Sequence, residues 1–102
     1  MTDRLEKLRA LLAKNPADAF VLYAIGIELK KIPDFPGAIE HFEKTISADA
    51  NYCYAYYQLG QTCELMEDED GAKKAYGRGI EAARRCGDAK ALGELQGALD
   101  IL

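Results

Sequence analysis

Residues 16–49 can be laid on residues 50–83 without a gap, so the chain repeats with a period of thirty-four residues. A repeat of that length is one supersecondary unit, and such a unit buries its apolar face only by stacking on its neighbours. Seven positions are identical: Tyr23/Tyr57, Gly26/Gly60, Asp34/Asp68, Gly37/Gly71, Ala38/Ala72, Ile46/Ile80 and Ala48/Ala82. Phe20/Tyr54, Leu22/Tyr56, Ile25/Leu59 and Phe42/Tyr76 match in type. Small residues meet small ones, and bulky apolar residues meet bulky apolar ones.

Each unit reads as two helices. Leu22, Ile25, Gly26 and Leu29 follow the i, i+3, i+4, i+7 spacing of one helical face. Lys30 and Lys31 suit the negative end of that helix. Pro33 and Pro36 break it and fit a turn into a new N-terminus. The next helix carries Ala38, Phe42, Thr45 and Ile46 on one side. In the second unit Tyr56, Leu59, Gly60 and Cys63 form the first stripe, and Ala72, Tyr76, Gly79 and Ile80 the second. Between them, Glu67–Asp70 reads as a turn with a capping aspartate rather than a cation site, because EF-hand ligand spacing is missing.

The ends fit the same period. Residues 3–14 place Leu5, Leu8, Leu11 and Leu12 on one face and predict a capping helix that stops at Asn15-Pro16. Gly87 ends the fifth helix, and Asp88 can cap a sixth with Leu92, Leu95, Leu99 and Leu102 on one stripe. The expectation is one all-α domain over residues 1–102. It comprises an N-terminal cap at 3–14, repeats at 16–49 and 50–83, and a C-terminal cap at 87–102.

The pattern resembles the tetratricopeptide repeat. That family has thirty-four residues per unit, with a large residue, leucine-glycine and another large residue on helix A, then alanine, an aromatic and a small residue on helix B. Here the first unit offers Leu22, Ile25-Gly26, Leu29, Ala38, Phe42 and Thr45, and the second offers Tyr56, Leu59-Gly60, Cys63, Ala72, Tyr76 and Gly79. Pro16 occupies the family's closing-proline position. Leu22 and Tyr56 replace the usual tryptophan, and Ala50 replaces a proline. The resemblance implies a right-handed α-solenoid of antiparallel helix pairs, about six helices in all. The small residues Gly26 and Ala38, on opposing helices of one hairpin, are expected to let the two backbones approach closely. Gly60 and Ala72 are expected to do the same.

Helix A has a second face, made of Phe20, Tyr23, Ile27 and Lys30 in the first unit and Tyr54, Tyr57, Gln61 and Glu64 in the second. At 100° per residue it lies roughly 130° from the core stripe. An ordinary surface helix is polar there. Three tyrosines and a phenylalanine instead suggest a recognition strip, since aromatics dominate interface energetics. The resemblance places this face in a concave groove and implies a peptide or helical segment of another protein as partner. The alternative is a homodimer or larger self-assembly through the same face, and a further one is cover by the sixth helix. A clamp for the C-terminal carboxylate of chaperones is not expected, because Tyr23, Ile27, Gln58 and Gln61 stand where it needs lysine and asparagine.

Charge and chemistry narrow the rest. The net charge is −4, with thirteen basic and seventeen acidic groups shared evenly between the halves, which disfavours nucleic acid and anionic membrane. The longest apolar run, Ala19 to Ile27, is too short to span a bilayer. Cys53 and Cys63 lie about 15 Å apart along one helix and cannot bridge. The three cysteines therefore read as free thiols in a reducing, cytoplasmic setting, with Cys53 and Cys86 the candidates for exposure. Arg84-Arg85 beside Cys86 leaves a remote thiolate-enzyme reading. His41 is the sole histidine and reads as a lone surface residue. No metal, phosphate-loop or nucleophile motif accompanies it, so a non-catalytic protein without cofactor is expected.

Overall fold

A computed structural model of the chain describes residues 2–102. The described residues form helices α1 (Thr2–Lys14), α2 (Ala19–Lys31), α3 (Phe35–Ala48), α4 (Cys53–Leu65), α5 (Glu69–Cys86) and α6 (Ala89–Asp100), with no strand among them. This is an all-α solenoid of antiparallel pairs. Each helix packs on its sequence neighbours, and α2 also meets α4 as α4 meets α6. The A helices α2, α4 and α6 thus form one row, and α1, α3 and α5 form the other.

Aspartates punctuate the chain. Asp18, Asp34, Asp68 and Asp88 each accept the backbone N–H three residues on, at 3.2, 3.0, 2.9 and 3.0 Å, and so start α2, α3, α5 and α6. Such a cap contributes about 1 kcal/mol. The N–H groups of Asp34, Asp68 and Asp88 also donate back to Leu29, Cys63 and Ala83, closing the preceding helix. One residue therefore ends one helix and begins the next. Helix α4 alone among these starts, at Tyr52, without a side-chain cap. Gly87 ends α5 with φ of 73°, a left-handed geometry that suits glycine.

The core lies between the two rows, where Ile25, Ala38, Phe42, Ala55, Ala72, Tyr76, Ala82, Ala91 and Leu95 are essentially sealed from water. Thr45 and Thr62 are also sealed, and each hydroxyl donates to the carbonyl four residues back at 2.7 Å. The small positions work differently from the expected backbone approach. A methyl at Gly26 would stand 2.5 Å from a ring carbon of Phe42, and one at Gly60 would collide with the Tyr76 ring. The glycines make room for an aromatic side chain of the B helix, while Ala38 and Ala72 fill their own buried positions. Gly79 lies under the Tyr56 Cβ and Leu95 in the same way. Gly77 faces open space, and nothing in the structure explains it.

Two terminal stripes are covered less than their spacing suggests. Leu5 and Leu8 are buried, but Leu11 is 51% exposed, because α1 has a neighbour on one side only. In α6, Ala91 and Leu95 are buried while Leu92 and Leu99 are half-covered, as is Leu102 just beyond the helix, since only α5 and α4 pack against α6.

Candidate functional site

The face shared by α2, α4 and α6 carries two adjoining clefts. One, of about 630 Å³, runs between α4 and α6, with Tyr54, Tyr57, Gln58, Gln61 and Glu64 on one wall and Glu94, Gly97, Ala98 and Ile101 on the other, and Tyr76 also lining it. The other, of about 540 Å³, is bordered by Lys30, Gln61, Glu64 and Leu65. Gln61 and Glu64 are common to both. These walls follow from helical spacing: Tyr57, Gln61 and Glu64 share one side of α4, as Glu94, Gly97 and Ala98 share one side of α6, with Ile101 at its C-terminal cap.

Its polar groups are already engaged in part. The Lys30 ammonium donates to Gln58 Oε1 at 2.9 Å and Gln61 Oε1 at 3.1 Å, tying α2 to α4. Burial lowers the pKa of that ammonium. The Tyr76 hydroxyl donates to Glu64, and burial followed by this bond pushes its pKa up. The Tyr54 hydroxyl donates to Glu94 at 2.7 Å, linking α4 to α6. That bond, with some desolvation, pushes Tyr54 up to about 12 from an ordinary 10. The folded chain thus favours the neutral phenol. Its contribution to stability is complete below pH 10 and disappears as pH rises through about 12. Following the Tyr54 ring-carbon NMR shift against pH should give a midpoint near 12, and Tyr54→Phe should flatten the fall of melting temperature over that interval. A midpoint of 10 would mean that the Glu94 contact is absent in solution.

The residues picked out by spacing fall in four places. Tyr54, Tyr57, Gln61 and Glu64 come together in the larger cleft. Ile27 and Lys30 line the α2–α4 side with Phe35 and Leu65. Phe20 stands apart, 64% exposed and lining neither cleft. Tyr23 is half-buried: its ring centroid lies 5.0 Å from that of Tyr52 and 5.8 Å from that of Phe42, and burial raises its pKa. Sequence reasoning missed Tyr76 and the whole α6 wall. The spacing of Glu94, Gly97, Ala98 and Ile101 was the available signal. The sixth helix therefore builds part of the site and covers Tyr54 only in part.

The reactive side chains also fall into place. Cys63 is buried, as its core position implies. Cys53 is buried too, contrary to the expectation of exposure, because the first turn of α4 is roofed by the end of α5; only Cys86 is exposed. His41 is half-buried rather than a free surface residue, with Nδ1 2.9 Å from the Gly37 carbonyl of its own helix. Among the described residues no helix is long and apolar enough to cross a membrane.

No protein-family model matches the sequence. Individual proteins do. The TPR repeat-containing protein PA0015 of Pseudomonas aeruginosa is 28% identical over 91 residues, which span 89% of this chain and 87% of that protein. Protein BPP2914 of Bordetella parapertussis has a solution structure that superposes with a TM-score of 0.80 at 29% identity, covering 94% of this chain and 84% of its own. The tetratricopeptide repeat domain protein of Salinibacter ruber, also solved in solution, superposes with a TM-score of 0.77 at 38% identity. That match covers 83% of this chain and 86% of the Salinibacter chain. With the repeat period, the paired helices and this likeness over most of both lengths in agreement, the chain belongs to the tetratricopeptide repeat family.

Proposed function

We propose that the chain is a non-catalytic interaction module that seats an extended or helical segment of another protein across the face of α2, α4 and α6. Family membership supports the general part, since tetratricopeptide repeat proteins act broadly as protein–protein interaction modules. The specific part rests on the cleft of about 630 Å³ between α4 and α6, whose walls combine tyrosine rings with the carboxylates of Glu64 and Glu94. Each carboxylate holds one tyrosine hydroxyl, and a carboxylate has about four acceptor sites. Lys30 faces the glutamine oxygens. A segment that offers lysine, arginine or amide donors beside an apolar residue is the complement of such walls.

Gly97 provides the test. A Cβ there would meet nothing within 4 Å, so Gly97→Leu fills the cleft while favouring the helix. Peptides selected from a random display library on the wild-type chain should bind Gly97→Leu at least about 10-fold more weakly, a change of ~1.4 kcal/mol. Undiminished binding removes the assignment of the cleft. A micromolar dimer in sedimentation that Gly97→Leu abolishes would give the face to self-association instead.

A further inference from the structure

Cys53 is the first residue of α4 and Cys86 the last of α5, and their Sγ atoms lie 3.8 Å apart. We propose that these two thiols form an oxidation site, a dithiol that a peroxide closes to a disulfide clasping the start of α4 to the end of α5.

Several features favour closure. A disulfide needs sulfurs about 2.05 Å apart, so the two must approach by less than about 2 Å. Both ends can give. The first turn of α4 has no side-chain cap, and Cys86 is followed by Gly87, around which a Cβ would find no atom within 4 Å. The segments are already held in register, because the Arg85 guanidinium donates to Asn51 Oδ1 at 2.9 Å and to the Ala50 carbonyl at 3.1 Å. Accessibility orders the chemistry: Cys86 is exposed and Cys53 is 5% exposed, so the oxidant meets Cys86 first. Burial and the neighbouring thiol push Cys53 up to about 11, so its thiolate is scarce at neutral pH and closure is the step that higher pH speeds.

In the first step the Cys86 thiolate attacks hydrogen peroxide. The O–O bond breaks, Cys86 becomes a sulfenic acid, and the departing hydroxide takes up a proton to give water. In the second step the Cys53 sulfur attacks the sulfenic sulfur. The S–S bond forms, the S–O bond breaks, and the hydroxide leaves with the Cys53 proton as a second water. The two thiols lose two electrons and two protons, and the peroxide takes them up.

The clasp closes the loop of residues 53–86, and a cross-link over that span raises the melting temperature by roughly 10–20 °C. The test treats the full chain with a small excess of hydrogen peroxide, then dithiothreitol, and reads intact mass, peptide map and melting midpoint. The expected product is a monomer two hydrogens lighter, linked Cys53–Cys86, with a higher midpoint that dithiothreitol reverses. Cys63→Ser should still close. Cys86→Ser, at an exposed position, should fold normally and neither lose the hydrogens nor gain in midpoint. A wild-type chain that instead gives a Cys86-linked dimer, a sulfinic acid at Cys86, or an unchanged midpoint overturns the proposal.

Discussion

Phe42→Ala is expected to destabilise the chain by about 3–5 kcal/mol, the usual cost of emptying an aromatic site in a sealed core. That is a large part of the roughly 5–15 kcal/mol available to a small domain. The neighbouring Gly26 makes the prediction sharper. Alone, Gly26→Ala sets a methyl 2.5 Å from the Phe42 ring and should cost about 1–3 kcal/mol by overpacking. With the ring removed, the same methyl enters the void and gains the helix preference of alanine, about 1 kcal/mol. Gly26→Ala should therefore change sign between the two backgrounds. Urea unfolding of the four chains in the cycle measures the coupling. Additive effects would mean that the ring does not rest on the glycine.

Leu95→Ala is expected to free α6 while leaving α2 to α5 folded. Only Ala91 and Leu95 of this helix are buried, and Leu95 packs over Gly79. Removing the leucine should cost about 2–5 kcal/mol, charged mainly to one terminal helix. Amide exchange should then show protection lost across residues 89–100 and kept in α4. The cleft loses a wall in the same variant, so peptide binding should fall with it. A uniform loss of protection along the chain would show that α6 is not a separable unit.

Much of this architecture is legible in the residues. The period of thirty-four sets the helices in order, and Pro16, Gly87 and the capping aspartates of the Glu67–Asp70 turn and Asp88 mark their ends, because those signals are local. The clefts are less legible, since Tyr76 and Glu94 reach the face of α4 from other helices. Helix α6 is hard to register because it begins at Ala89, thirty-six residues after Cys53, whereas Cys53 follows Ala19 by thirty-four. The cause is α5, eighteen residues long against fourteen for α3. This shift makes Leu92, Leu95 and Leu99 the equivalents of Tyr56, Leu59 and Cys63, whereas a strict period of thirty-four would set Gly93 at the position of Leu59. The pairing of Cys53 with Cys86 was within reach: the two arms of an antiparallel hairpin return the end of the second to the start of the first.

Because each helix touches only its nearest companions and α1 and α6 share no contact among the described residues, coupling between the two ends has to pass through the helices between them. Disturbance introduced at one terminus should fade helix by helix. A lesion in α1 would then be felt by α2, faintly by α4, and scarcely by the tyrosines at the far end.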